Sequence, residues 1–179
     1  LNLSLCYNGF RRGGEDNASK LLQKIMTTKT PTFNYTRGAW EGSNYNSNLH
    51  VSDITKLIRD YVKTNYPDYK FSVTKRDYNS INVVLLSSKE NALETPNISK
   101  LYKDGRVLRG YMTEDEALGY WTRAIENGNH GVNQYYLQDD YMLTERSKAM
   151  FKDIVQFINS YNFDDSDGQI DYFHTNFYL

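Results

Sequence analysis

Three histidines, one cysteine and a cluster of aspartates are the side chains here that could run chemistry unaided. His50, His130 and His174 stand far apart, and no two share the i, i+3 or i+4 spacing that places a pair on one helical face for zinc. Asp164, Asp165 and Asp167 have the density of a calcium loop, but no glutamate follows at its twelfth position. The same aspartates with Asp171 could serve a metal-dependent nuclease, yet no lysine accompanies them nearby. Gly13-Gly14 lacks the G-K-[ST] ending of a phosphate loop. Cys6 is the only cysteine, so an internal disulfide is excluded and a buried thiol is expected. The residues point away from an enzyme, and neither cofactor nor metal is expected.

Binding chemistry is better represented. Asn8 with Arg11-Arg12-Gly13-Gly14, and Tyr35-Thr-Arg37-Gly-Ala-Trp40, set arginine beside aromatics and glycine. Guanidinium on phosphate and rings on bases suit RNA or single-stranded DNA. Asn8, Arg11, Arg12, Tyr35, Arg37 and Trp40 are therefore the candidate binding residues, for nucleic acid or for a protein partner. Sixteen tyrosines against eight phenylalanines fit a recognition surface, because tyrosine buries area and keeps a polar tip. The net charge of −1 hides a division: residues 1–50 carry +3, residues 51–112 carry +4 and residues 113–179 carry −8. A bipolar surface follows unless the halves neutralise each other in the fold.

The elements that must position these groups are legible in part. Leu1–Tyr7 alternates apolar and polar residues, and Asn8-Gly9 signals a tight turn, so an N-terminal β-hairpin with a basic tip is expected. Helices are expected over 17–27, then from a Ser52 cap to Pro67, where proline stops the second. Lys70–Lys75 and Ile81–Ser87 read as strands, the second central and buried. Thr113-x-x-Glu116 is a capping box for a helix that Asn127-Gly128 ends. Short strands are expected near 33–35, 106–109 and 134–138, a long helix over 144–161, and a last strand over 170–178. The whole predicts an α+β fold: an antiparallel sheet packed by about four helices. Residues 1–50 form an arm, and residues 51–179 a core with an insertion at 88–147. Nothing resembles a signal peptide or a membrane span, so a reducing cytoplasm is the expected setting.

Two stretches carry a family resemblance. Ile54-Thr-Lys-Leu-Ile-Arg-Asp-Tyr-Val, Tyr66-Pro-Asp-Tyr-Lys-Phe-Ser-Val and Ser80-Ile-Asn-Val resemble the opening of a large polyvalent protein-associated domain. Asn162-Phe-Asp-Asp-Ser-Asp and Asp171-Tyr-Phe-His-Thr-Asn-Phe-Tyr resemble its closing turn and strand. No such motif is evident in 1–50 or 88–147. The resemblance implies a module of phages, plasmids or conjugative elements, without catalytic residues to carry over. Where the family often has glycines in the hairpin turn, this chain has Asp77-Tyr-Asn-Ser. In size and Tyr/Asn content the chain is also similar to phage inhibitors of CRISPR–Cas9, which implies a host Cas9–guide RNA complex as partner, with RNA contact. The alternatives are a nucleic-acid-associated module without inhibitory role, and a nuclease.

Overall fold

The computed structural model describes residues 3–6, 39–166 and 173–179. Its centre is a four-stranded sheet built from β1 (Leu3–Cys6), β3 (Lys70–Arg76), β4 (Ser80–Ser87) and β5 (Asn129–Val132), in the order β3-β4-β1-β5. A two-stranded ribbon joins β2 (Trp40–Glu41) to β6 (Phe163–Asp164). The helices are α1 (Val51–Asn65), a short α2 (Gly105–Leu108), α3 (Glu114–Glu126) and α4 (Glu145–Asn159). The α+β expectation holds, with two differences in the sheet. β1 runs parallel to β4, so the sheet is mixed. β1 also has both edges occupied, by β4 and by β5. It is an interior strand of the domain, where the sequence suggested half of a projecting hairpin. The expected returning strand, the helix at 17–27 and the strand at 33–35 lie outside the described residues.

α1 forms because Ile54, Ile58 and Val62 fall on one stripe and become fully or nearly fully buried. Its cap is His50, without a side-chain bond, rather than Ser52. Pro67 follows its C-cap Tyr66 and the chain turns into β3. The β3–β4 hairpin pairs Val73 with Val83 and Arg76 with Ser80. Its turn places Asp77 at φ 53°, a left-handed conformation that aspartate tolerates better than most side chains. Alternation along β4 sends Ile81, Val83 and Leu85 to the face covered by α1 and α4, where they meet Phe151, Ile154 and Ile158. Phe177 and Leu179 close this core from the C-terminal segment, pinned by a reciprocal pair of bonds between Asn162 and the Phe177 backbone at 3.0 and 3.1 Å. Gly42 is required where β2 passes the end of α4, since a Cβ would lie 2.3 Å from the Ser160 carbonyl.

α1 and α4 are also joined by polar contacts. The Tyr61 and Tyr66 hydroxyls both donate to Asp153 Oδ2, at 2.6 and 2.5 Å, and the Tyr61 ring stacks on Phe157 at 3.7 Å. Burial first, then the neighbouring carboxylate, pushes both phenols well above their ordinary value. Groups raised in this way stabilise the fold fully below their unfolded value of about 10, and that contribution is lost as pH rises beyond it. An ultraviolet titration should therefore show these two tyrosines among those that ionise only as the fold is lost. Tyr66→Phe should remove part of the alkaline drop in melting temperature. Ionisation of every tyrosine near pH 10 with the fold intact would contradict this linkage.

Three further expectations are corrected. Residues 106–108 lie in α2, with Arg109 as its C-cap, and not in a strand, because the Asp104 side chain accepts from the Arg106 amide and starts a helix. The strand near 134–138 sits earlier, at β5; Asn133 accepts from the Tyr135 amide and turns residues 134–136 into a 3₁₀ helix. The described part of the expected last strand makes only single bridges, Thr175 to Asp164 and Tyr178 to Ser80. The capping box is as read: Thr113 accepts from the Glu116 amide and Glu116 from the Thr113 amide. Residues 88–147, read as an insertion, supply β5 to the main sheet and Leu137 and Leu143 to its core. No described helix is long and apolar enough to cross a membrane.

Candidate nucleic-acid interface

A second core lies under residues 98–112. Trp121 is fully buried on α3, its ring edge-on to Tyr141 at 5.1 Å and its Nε1 donating to the Glu94 carbonyl at 3.0 Å. Leu101, Ala117, Ala124 and Met142 complete the cluster. Over it runs Ile98-Ser-Lys-Leu-Tyr-Lys103, a 3₁₀ helix, followed by Asp104 and α2.

Asp104 fastens this segment. It is 4% exposed, and its carboxylate accepts from the Arg106 amide at 2.8 Å, from Arg106 Nε and Nη2 at 3.1 and 2.8 Å, and from the Tyr141 hydroxyl at 2.7 Å. The Arg106 guanidinium, with Tyr141 and the amide, holds this carboxyl far below the usual range in spite of its burial. A depressed carboxyl stabilises the fold above its unfolded value of about 3.9, and the contribution is lost as pH falls below that. Asp104→Asn keeps the shape and removes the charge. It should cost about 2–4 kcal/mol in a denaturant melt, since it strips a bidentate arginine and a buried phenol of their acceptor. It should also flatten the acid limb of stability against pH. A neutral effect on both would show that Asp104 does not hold the segment.

The C-terminal end of α2 is fixed as firmly. Tyr111 N–H donates to the Arg106 carbonyl at 2.8 Å and Gly110 N–H to the Val107 carbonyl at 3.0 Å, the two bonds of a Schellman turn. Gly110 takes the φ of +71° that this turn needs.

On this support the outward side chains are aromatic and basic. Tyr111 is 79% exposed, Leu108 67% and Tyr102 63%. The Arg106 guanidinium lies 5.2 Å from the Tyr120 ring centre, and the Lys103 ammonium 5.8 Å from that of Tyr102. Lys100, Lys103, Arg106 and Arg109 recur every third residue. In a 3₁₀ helix of about three residues per turn that spacing stacks Lys100 and Lys103 on one side. Asp104 is the one acidic residue between 98 and 111, and it is turned inward. Lys100 pairs with Glu94 and Arg106 with Asp104, whereas Lys103 and Arg109 form no ion pair among the described residues. Glu114 and Asp115, exposed in the first turn of α3, border the ridge with opposite charge. They repel phosphate on that side and leave Lys103 and Arg109 as its cationic approach.

Of the candidate binding residues from sequence, Trp40 alone lies among the described residues. Asn8, Arg11, Arg12, Tyr35 and Arg37 lie outside the described residues. Trp40 is half-buried in β2, opposite Asp164, so its described neighbourhood on the ribbon is acidic. His130 is buried and contacts Asp140 at 2.7 Å, with Nδ1 unpartnered; His174 lies 4.0 Å from Asp165; His50 is the exposed cap of α1. Among the described residues no three His, Cys, Asp or Glu converge as a metal-ligand set. Asp167 and Asp171 lie outside the described residues. The three-residue recurrence of Lys100, Lys103, Arg106 and Arg109 was the available sequence signal for the ridge.

A comparison with known families matches a little over half of the chain. The profile of large polyvalent protein associated domain 29 matches residues 49–149, from the start of α1 into α4. The chain belongs to this family, which places it among modules associated with phages and other mobile elements. The match includes residues 88–147, where no family motif was evident from sequence, and stops before the closing turn at 162–167. No curated protein and no solved structure matches the chain.

Proposed function

We propose that this domain is a nucleic-acid recognition module of a mobile-element protein, binding single-stranded DNA or RNA across residues 98–111. The observation that carries the reading is the basic ridge with Tyr102 and Tyr111 on a segment locked by Asp104, flanked by Tyr120 of α3. Aromatic faces take bases of any sequence, and cations track the backbone, so a rigid combination of the two suits a flexible strand. Preorganisation lowers the ordering cost of binding. Duplex DNA stacks its bases inside and offers such rings nothing to lie on.

Fluorescence anisotropy with short labelled oligonucleotides tests the reading. Single strands should bind more tightly than a duplex of equal length. Tyr111→Ala should weaken single-strand binding roughly 5- to 150-fold, the equivalent of about 1–3 kcal/mol for one stacked base, and Tyr111→Phe should restore it. A folded protein that binds no single strand, or that ignores Tyr111→Ala, would refute it.

The narrower reading is inhibition of a host defence nuclease, Cas9 with its guide RNA. It requires this ridge, or the residues around Arg11-Arg12 and Tyr35–Trp40, to engage guide RNA or the nuclease surface. Target cleavage by a preassembled Cas9–guide complex, with and without the protein, decides it. Undiminished cleavage beside intact oligonucleotide binding leaves a module without inhibitory role. Loss of the guide RNA on incubation with magnesium would make the protein a nuclease.

A further inference from the structure

The β3–β4 hairpin and the C-terminal segment, neither of them part of the ridge, line a cavity. Ile81, Phe177 and Leu179 turn their side chains into the main core. Their chain neighbours Ser80, Asn82 and Tyr178 therefore fall on the opposite face of the sheet. Register adds the rest: Arg76 pairs with Ser80, Thr74 with Asn82, and Ser80 bridges Tyr178 in parallel. Directly paired residues share a face, so Arg76, Ser80 and Tyr178 stand in a row across three neighbouring segments, with Asn82 two residues along. Together with Asp77 of the hairpin turn they line a volume of about 330 Å³. That is the lower end of the about 300–1,000 Å³ usual for small-molecule sites.

We propose that this cavity binds one free ribonucleotide, a ribonucleoside 5′-monophosphate whose base carries an amino group. The assignment starts from Asn82. Its Oδ1 is buried, and the side chain has no hydrogen-bond partner among the described residues. A buried amide oxygen without a donor is costly, and an amino group on the ligand satisfies it. Tyr178 is 51% exposed and offers a ring face on which the base stacks. Arg76 is exposed and forms no ion pair among the described residues, so its guanidinium fork is open to a phosphate. Asp77 is exposed and has no cation partner among them either, and its carboxylate accepts from the ribose hydroxyls. Arg76 is the one cation among the lining residues, which matches a single phosphate; a strand would call for a row of cations along its backbone. The site shares no residue with 98–111 and does not rest on the reading of that ridge.

Isothermal titration calorimetry of the full chain with AMP, CMP, UMP, adenosine and inorganic phosphate tests the assignment. AMP and CMP should each bind more tightly than UMP, which lacks the amino group, and more tightly than adenosine or phosphate alone. Tyr178→Ala should weaken AMP binding roughly 5- to 150-fold, and Tyr178→Phe should restore it. Arg76→Gln should bring AMP down to the affinity of adenosine. Asn82→Leu keeps the shape and removes the orphaned oxygen, so it should melt no lower than the wild type while losing the preference for AMP over UMP. Should Asn82→Leu fail to fold, the variants at the exposed Arg76 and Tyr178 still decide. The ridge variant Lys103→Ala with Arg109→Ala should bind AMP as the wild type does. The proposal is overturned if AMP does not bind at millimolar concentration, if AMP and UMP bind equally, or if either Arg76→Gln or Tyr178→Ala keeps the wild-type affinity. Loss of AMP binding in the ridge variant would place the nucleotide on 98–111 and overturn it as well.

Discussion

Ile58→Asp is expected to leave the protein without a cooperative melt. Ile58 has no exposed surface and packs in the cluster that unites α1, the sheet and α4. Removing the isoleucine forfeits about 2–3 kcal/mol of burial. The incoming carboxylate has no cation beside it on the buried stripe of Ile54, Ile58 and Val62, and a charge so placed costs several kcal/mol more or must be protonated. Together these losses approach the about 5–15 kcal/mol that holds a typical domain. Far-ultraviolet circular dichroism against temperature reads the outcome. A sigmoidal melt within a few degrees of the wild type would mean that α1 is peripheral.

Trp121→Ala should produce the next largest loss, with a different distribution. The substitution empties the centre of the second core, strips Tyr141 of its ring partner and leaves the Glu94 carbonyl without its indole donor. Large aromatic truncations of this kind cost about 3–5 kcal/mol. The main sheet, α1 and α4 keep their own cluster, so hydrogen exchange should accelerate first across residues 94–126 and later elsewhere. Oligonucleotide binding should fall with it, since Leu101 and Tyr141 support the ridge from below. Uniform acceleration across the chain would show that the two cores melt as one unit.

Much of the scaffold was legible because its signals are local. The stripe of α1, the Pro67 stop, the buried run of β4 and the Thr113–Glu116 capping box each lie within a few residues, and each appears as read. β1 was legible as a strand but not by its partners. Alternation reports that one face is buried; it says nothing of which strands lie on either edge, and a parallel pairing with Val83–Leu85 is a contact across some eighty residues. The segment 104–109 was misread because its helix depends on one side chain, Asp104, folding back on the Arg106 amide. The proposed ridge was less legible, because it draws on two elements: Arg106 lies against the ring of Tyr120, which comes from α3.

The central claim is that residues 98–111 hold the phosphate backbone of a single strand, and the salt dependence of binding measures it most directly. The logarithm of the binding constant for a labelled single-stranded oligonucleotide, plotted against the logarithm of salt concentration, has a slope set by the phosphates neutralised, about 0.7 for each in a single strand. The double variant Lys103→Ala and Arg109→Ala leaves the Asp104 hub untouched and should melt as the wild type does, while its slope falls by about 1.4. An unchanged slope and affinity in the folded variant would contradict the account and place any nucleic-acid contact elsewhere on the molecule.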